Sequence, residues 1–141
     1  MTDQQPQNEQ ELQQMYMQLQ YIDTQIAELD KELHAVEQKK VEFLRLSESI
    51  DQLNKVKLQT KSFSNIGLGI YSESKITNTK EFIVNVGANT FVKKPSKEVK
   101  TLLKRQAEEL EKAEMQLQQN IQMLSLQAQI IQGEMQKSLG L

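Results

Sequence analysis

Residues 61–95 read KSFSNIGLGIYSESKITNTKEFIVNVGANTFVKKP, and this stretch decides the fold. β-Branched and aromatic side chains gather here: Ile66, Ile70, Tyr71, Ile76, Phe82, Ile83, Val84, Val86, Phe91 and Val92. Turn residues divide them, at Gly67 and Gly69, at Thr77–Asn78–Thr79 and at Gly87–Ala88–Asn89. Apolar runs of this length between breakers predict short strands near 68–76, 82–86 and 90–94, with a first near 62–66. Two small β-hairpins are the expected product. A lone two-stranded hairpin is marginal in water, so these need partners, and other subunits are the natural source.

On either side the pattern changes to helix. From about residue 9 to 60 there is neither Pro nor Gly. Leu12, Met15, Leu19, Ile22, Ile26, Leu29, Leu33 and Val36 recur in alternating steps of three and four, which is a heptad seam at a and d. The seam weakens at Lys40, resumes at Phe43 and continues through Leu46, Ile50 and Leu53. After Pro95, the d positions Leu103, Leu110, Leu117, Leu124 and Ile131 are matched by Ala107, Glu114, Ile121, Ala128 and Met135 at a. Ser96 is a candidate cap, with Glu98 in the first turn. The expected fold is therefore α+β and mainly α: an antiparallel two-helix coiled coil with two β-hairpins at its closed end. A polar tail covers 1–8, and one domain covers 9–141. Within that domain the helices are expected at 9–60 and 96–138, around a hairpin segment at 61–95.

Composition agrees with long helices. There is no Trp, aromatics are 5%, and Gln, Glu, Lys and Leu crowd both ends. The net charge is −2 with signs interspersed, and no basic stripe points to nucleic acid. There is no Cys, which removes disulfides and thiol chemistry. No apolar run reaches membrane-spanning length, and the polar start, MTDQQPQNEQ, does not read as a signal peptide. The expectation is a soluble, cytoplasmic chain with no membrane partner.

The order of elements resembles the alpha-class prefoldin subunits. GLGIY at 67–71 is similar to that family's Gly-containing turn followed by an aromatic. FIVNVGANTFVKK at 82–94 is similar to its strand, Val-Gly turn and aromatic strand with a basic end, and SKEV at 96–99 opens the second helix where the family opens it. Two places depart from the pattern. Asn89 stands where many members carry a second Gly, and 63–66 lacks a Val-Pro pair. Asn tolerates the left-handed region, so the turn should survive. The resemblance implies an ATP-independent chaperone that captures unfolded proteins at coiled-coil tips and passes them to a group II chaperonin. It also implies two alpha subunits with four prefoldin beta subunits, joined through a β-barrel hub. In that hub Ile70, Tyr71, Phe82, Val84, Val86, Phe91 and Val92 are the candidate contacts.

Candidate chemistry is sparse. His34 falls at a solvated b position, GLGI is too short for a dinucleotide fingerprint, and no Walker-type loop exists. Carboxylates lie along helix faces without metal-ligand spacing, so no enzyme, cofactor or metal is expected. The off-seam apolar residues say more. Over 27–40 and 104–119 only Ala27, Ala35, Ala113 and Met115 break the polar rule outside the seam. Val41, Leu44, Leu46, Leu53, Val99 and Leu102 are expected to pack against the hairpins. At the other end stand Tyr16, Met17, Tyr21, Met123, Leu126, Ile130 and Leu139. With the seam residues Leu12, Met15, Leu19, Ile131 and Met135 they form the candidate client-binding tip. Met is flexible and polarizable, which suits a surface that must fit many sequences. Lys40 and Glu114 interrupt the seam at a positions and are candidates for fixing register. The alternative is a coiled-coil scaffold that tethers one defined partner.

Overall fold

The computed structural model describes residues 5–140, with side chains from Gln7 onward. In chain order the elements are α1 (Gln5–Asn54), β1 (Lys61–Gly67), β2 (Ile70–Lys75), β3 (Glu81–Asn85), β4 (Phe91–Pro95) and α2 (Ser96–Ser138). Two units divide them. One takes in Met1–Lys39 and Leu110–Leu141, and the other Lys40–Glu109.

The first, a helix-pair unit, is held by the heptad seam. Leu12, Met15, Leu19, Ile26, Leu29, Leu33 and Val36 are half-buried and Ile22 is buried. Leu110, Glu114, Leu117, Ile121, Leu124, Ala128, Ile131 and Met135 are half-buried on the facing helix. The pairing is antiparallel. Tyr21 and Ile22 share a groove with Ile130 and Ile131, while Leu29 shares one with Met123 and Leu124. Residues 1–4 of the expected tail lie outside the described residues. The rest of that tail is helical, since α1 starts at Gln5. Pro6 permits this, because a first-turn proline gives up only an N–H that has no intrahelical partner there.

The second, a hairpin unit, carries both sheets. β1 pairs antiparallel with β2 and β3 with β4, as two separate two-stranded sheets. The two turns are built alike. The Asn65 and Asn85 side chains accept from the backbone N–H of Gly67 and Gly87 at 2.9 and 3.0 Å. Gly67 (φ 130°) and Gly87 (φ 115°) then take a conformation that L side chains rarely adopt. Asn89 takes the left-handed conformation with φ 57°, so the turn survives the departure there.

The core of this unit is small: Ile50, Val99 and Leu103, with Phe43, Phe82 and Val84 packed against it. Asn54 Nδ2 donates to Ser96 Oγ at 3.0 Å, and Lys100 forms an ion pair with Asp51. Three details differ from expectation. First, α1 stops at Asn54, not near 60, because Gln59 N–H donates to the Ile76 carbonyl and Ile76 N–H to the Thr60 carbonyl. That β pairing diverts the chain, and no Gly or Pro between 53 and 60 announces it. Second, Ser96 is the first helical residue rather than a cap: its N–H donates to the Lys80 carbonyl and its hydroxyl accepts from Asn54. Third, Ser47 is half-buried at the seam position between Phe43 and Ile50, whereas Leu46 is exposed.

Candidate functional site

Two surfaces carry more apolar area than folding of the described chain uses. The first is on the helix-pair unit. Tyr16, Met17, Tyr21, Met123, Leu126, Ile130 and Leu139 are each between 57% and 69% exposed. A two-helix coiled coil buries a narrow a/d stripe, and these positions lie outside it. Tyr21, Met123 and Ile130 share one face. Tyr21 and Ile130 line a groove with Gln18, Ile22, Gln25, Gln127, Ile131 and Glu134. Met123 lines a second groove, with Gln25, Glu28, Leu29, Glu32, Asn120, Leu124 and Gln127. Gln25 and Gln127 belong to both, so the two grooves are continuous. The Gln25 amide donates to the Tyr21 hydroxyl at 3.0 Å, which holds the ring of Tyr21 against its own helix.

The structure splits the candidate tip residues into two sets. Tyr16, Met17, Tyr21, Met123, Leu126, Ile130 and Leu139 are exposed. Leu12, Met15, Leu19, Ile131 and Met135 are half-buried, because seam residues insert between the helices. Of the second set Ile131 lines the groove, whereas Leu12, Met15, Leu19 and Met135 do not, and the first set supplies the free surface.

The second surface is on the hairpins. Ile70, Tyr71, Val86, Phe91 and Val92 are exposed, at 41% to 61%. Phe82 and Val84 are not free for a partner in the same way, since they pack on the chain's own Ile50, Val99 and Leu103. Strand alternation sends Ile83 to the opposite side, where it is 67% exposed. Ile83, Phe63, Ile66 and Leu68 are exposed apolar residues that the sequence reading left out of the hub. Period-2 alternation sets Ile83 on the face opposite Phe82 and Val84 without saying which face is inward. The two flanking glycines could have found Leu68, which forms the apex of the β1–β2 turn with φ 49°. The helical residues expected against the hairpins divide as well. Leu46, Leu53, Val99 and Leu102 line a cleft with Phe82, Ile83 and Val84, whereas Val41 and Leu44 remain exposed side chains outside it. At about 3.6 residues per turn Val41 falls opposite Ile50 on α1 and Leu44 about a third of a turn from it.

Among the described residues no cluster of His, Asp and Glu could hold a metal ion. No described helix is long and apolar enough to cross a membrane.

Comparison with known proteins agrees with this geometry. The family model described as Prefoldin subunit matches residues 22–140. The prefoldin subunit alpha of Methanococcus aeolicus is 33% identical over 103 residues, covering 73% of this chain and 69% of that protein. The prefoldin subunit alpha of Methanococcus vannielii is 28% identical over 127 residues, covering 90% and 85%. The fold is similar to that in a cryo-EM structure of filamentous PFD from Methanocaldococcus jannaschii. The TM-score is 0.77 at 16% identity, covering 84% of this chain and 98% of that one.

Proposed function

The chain belongs to the prefoldin family of chaperone subunits, and on that footing we propose that its helix-pair unit captures unfolded proteins without ATP. The observation that carries this reading is the set of off-seam apolar side chains, with Tyr21, Met123 and Ile130 along one continuous groove. An apolar strip edged by glutamine amides grips exposed hydrophobic segments without demanding one sequence. Each contact is weak, and several copies of the unit around one client act together through effective concentration. Release then needs only simple exchange.

The exposed hairpin residues support the second half of the proposal. Two-stranded sheets with apolar faces in water call for further strands, and other subunits supply them. The assembly is two copies of this chain with four prefoldin beta subunits around a β-barrel hub. It works in the cytoplasm and passes its clients to a group II chaperonin.

The test replaces Tyr21, Met123 and Ile130 together by serine in the assembled complex. The expected outcome is loss of most suppression of client aggregation, with unchanged far-UV circular dichroism. Full suppression by this variant would overturn the groove as the capture surface.

A further inference from the structure

Charge is distributed unevenly between the two units. Met1–Lys39 and Leu110–Leu141 together hold eleven carboxylates against four lysines, a net −7. Lys40–Glu109 holds eight carboxylates against thirteen lysines and arginines, a net +5. The small overall charge of −2 conceals this polarity. The groove repeats it locally. Glu28 and Glu32 line it beside Leu29 and Met123, and Glu134 lines it beside Tyr21 and Ile130. All three glutamates are exposed, and neither lysine nor arginine lines either part of the groove. Opposite Glu28 and Glu32, residues 115–133 of α2 contain no charged side chain at all.

We infer that the groove selects unfolded segments that combine apolar side chains with lysine or arginine. This rests on the client-binding reading above and deepens it. A bound chain would place its apolar residues against Tyr21, Met123 and Ile130. Its cationic residues, on long flexible stems, would reach Glu28, Glu32 and Glu134 at the rim. Acidic segments would meet like charge in the groove, where no cation is among the lining residues; Lys31 and Lys137 stand within a turn of the glutamates but outside that lining. Near physiological salt the screening length is about 8 Å, so the groove carboxylates dominate over the rest of the unit. Single exposed pairs are weak, and a preference of roughly three- to tenfold requires several acting together.

The experiment uses the assembled complex and three versions of one permanently unfolded polypeptide. They are matched in length and apolar content but basic, neutral or acidic. Fluorescence anisotropy reads their affinities at low salt and at about 0.5 M salt, where screening shortens to a few ångströms. The basic version should bind roughly three- to tenfold tighter than the acidic one at low salt, and the gap should close at high salt. Combined Glu28→Gln, Glu32→Gln and Glu134→Gln should abolish most of the gap and leave the neutral version's affinity unchanged. Equal affinities for the three versions in the unaltered complex would overturn charge selection while leaving apolar capture standing. A gap that survives the glutamine substitutions would equally refute it, by placing selection elsewhere. Binding of no version would overturn the client reading itself, and this inference with it.

Discussion

Replacing Leu103 by alanine tests the energetic argument for the hairpin unit. Leu103 is 7% exposed and packs with Ile50 and Val99. Phe43, Phe82 and Val84 close over the cluster, so this one side chain joins both helices to β3. The substitution removes three carbons, which at ~0.8 kcal/mol each gives about 2.4 kcal/mol of lost burial. The further cost of an empty cavity should be small, because Leu103 already lines a cleft of about 410 Å³ into which neighbours can relax. For a chain of this size ~3–5 °C per kcal/mol predicts a drop in Tm of about 7–12 °C. Thermal unfolding followed by circular dichroism at matched protein concentration measures it, since assembly makes Tm concentration-dependent. Leu44→Ala is the control: Leu44 is 62% exposed on α1, and its loss should cost less than about 0.5 kcal/mol. A Leu103 variant that melts no lower than the Leu44 variant would refute the claim that this cluster holds the helices to the hairpin.

Gly133→Ala should raise stability by about 0.5–1 kcal/mol, because Gly133 lies inside α2 and a Cβ there meets nothing within 4 Å. A lowered Tm would show that the position carries a contact absent from the isolated chain. The Lys100–Asp51 pair has side chains 38% and 54% exposed, so a double-mutant cycle should return no more than about 0.5 kcal/mol, shrinking with salt. A coupling above about 2 kcal/mol would mean that the pair is desolvated in the assembly. Ile83→Asp or Phe91→Asp should leave helicity intact and abolish assembly, because both side chains are exposed on hairpin faces. Native mass spectrometry decides this: two copies of this chain with four of a smaller partner is the expected parent species, and its persistence in either variant would exclude those faces from the hub.

The sequence by itself determined the elements whose rules are local. Steps of three and four place Leu12 through Val36, and the sevens from Leu103 to Ile131, on one face of a helix whatever lies opposite. The structure finds those residues half-buried or buried. Glycine and asparagine at 67, 69, 87 and 89 supply left-handed conformations that few other residues accept, so the turns were legible too. Only the tertiary structure decided questions that depend on what a residue meets. Phe82, Ile83 and Val84 are all apolar, and nothing within FIV says that the outer two face Ile50 and Leu103 while the middle one faces out. The helical pattern runs on past Asn54, and only pairing of Gln59 and Thr60 with Ile76 ends it. Tyr21 is far in sequence from Met123 and Ile130, and antiparallel pairing is what puts it on one groove with them. Periodicity and turn chemistry are written into consecutive residues, whereas the choice of face, the last turn of a helix and the assembly of a groove are settled by packing across elements.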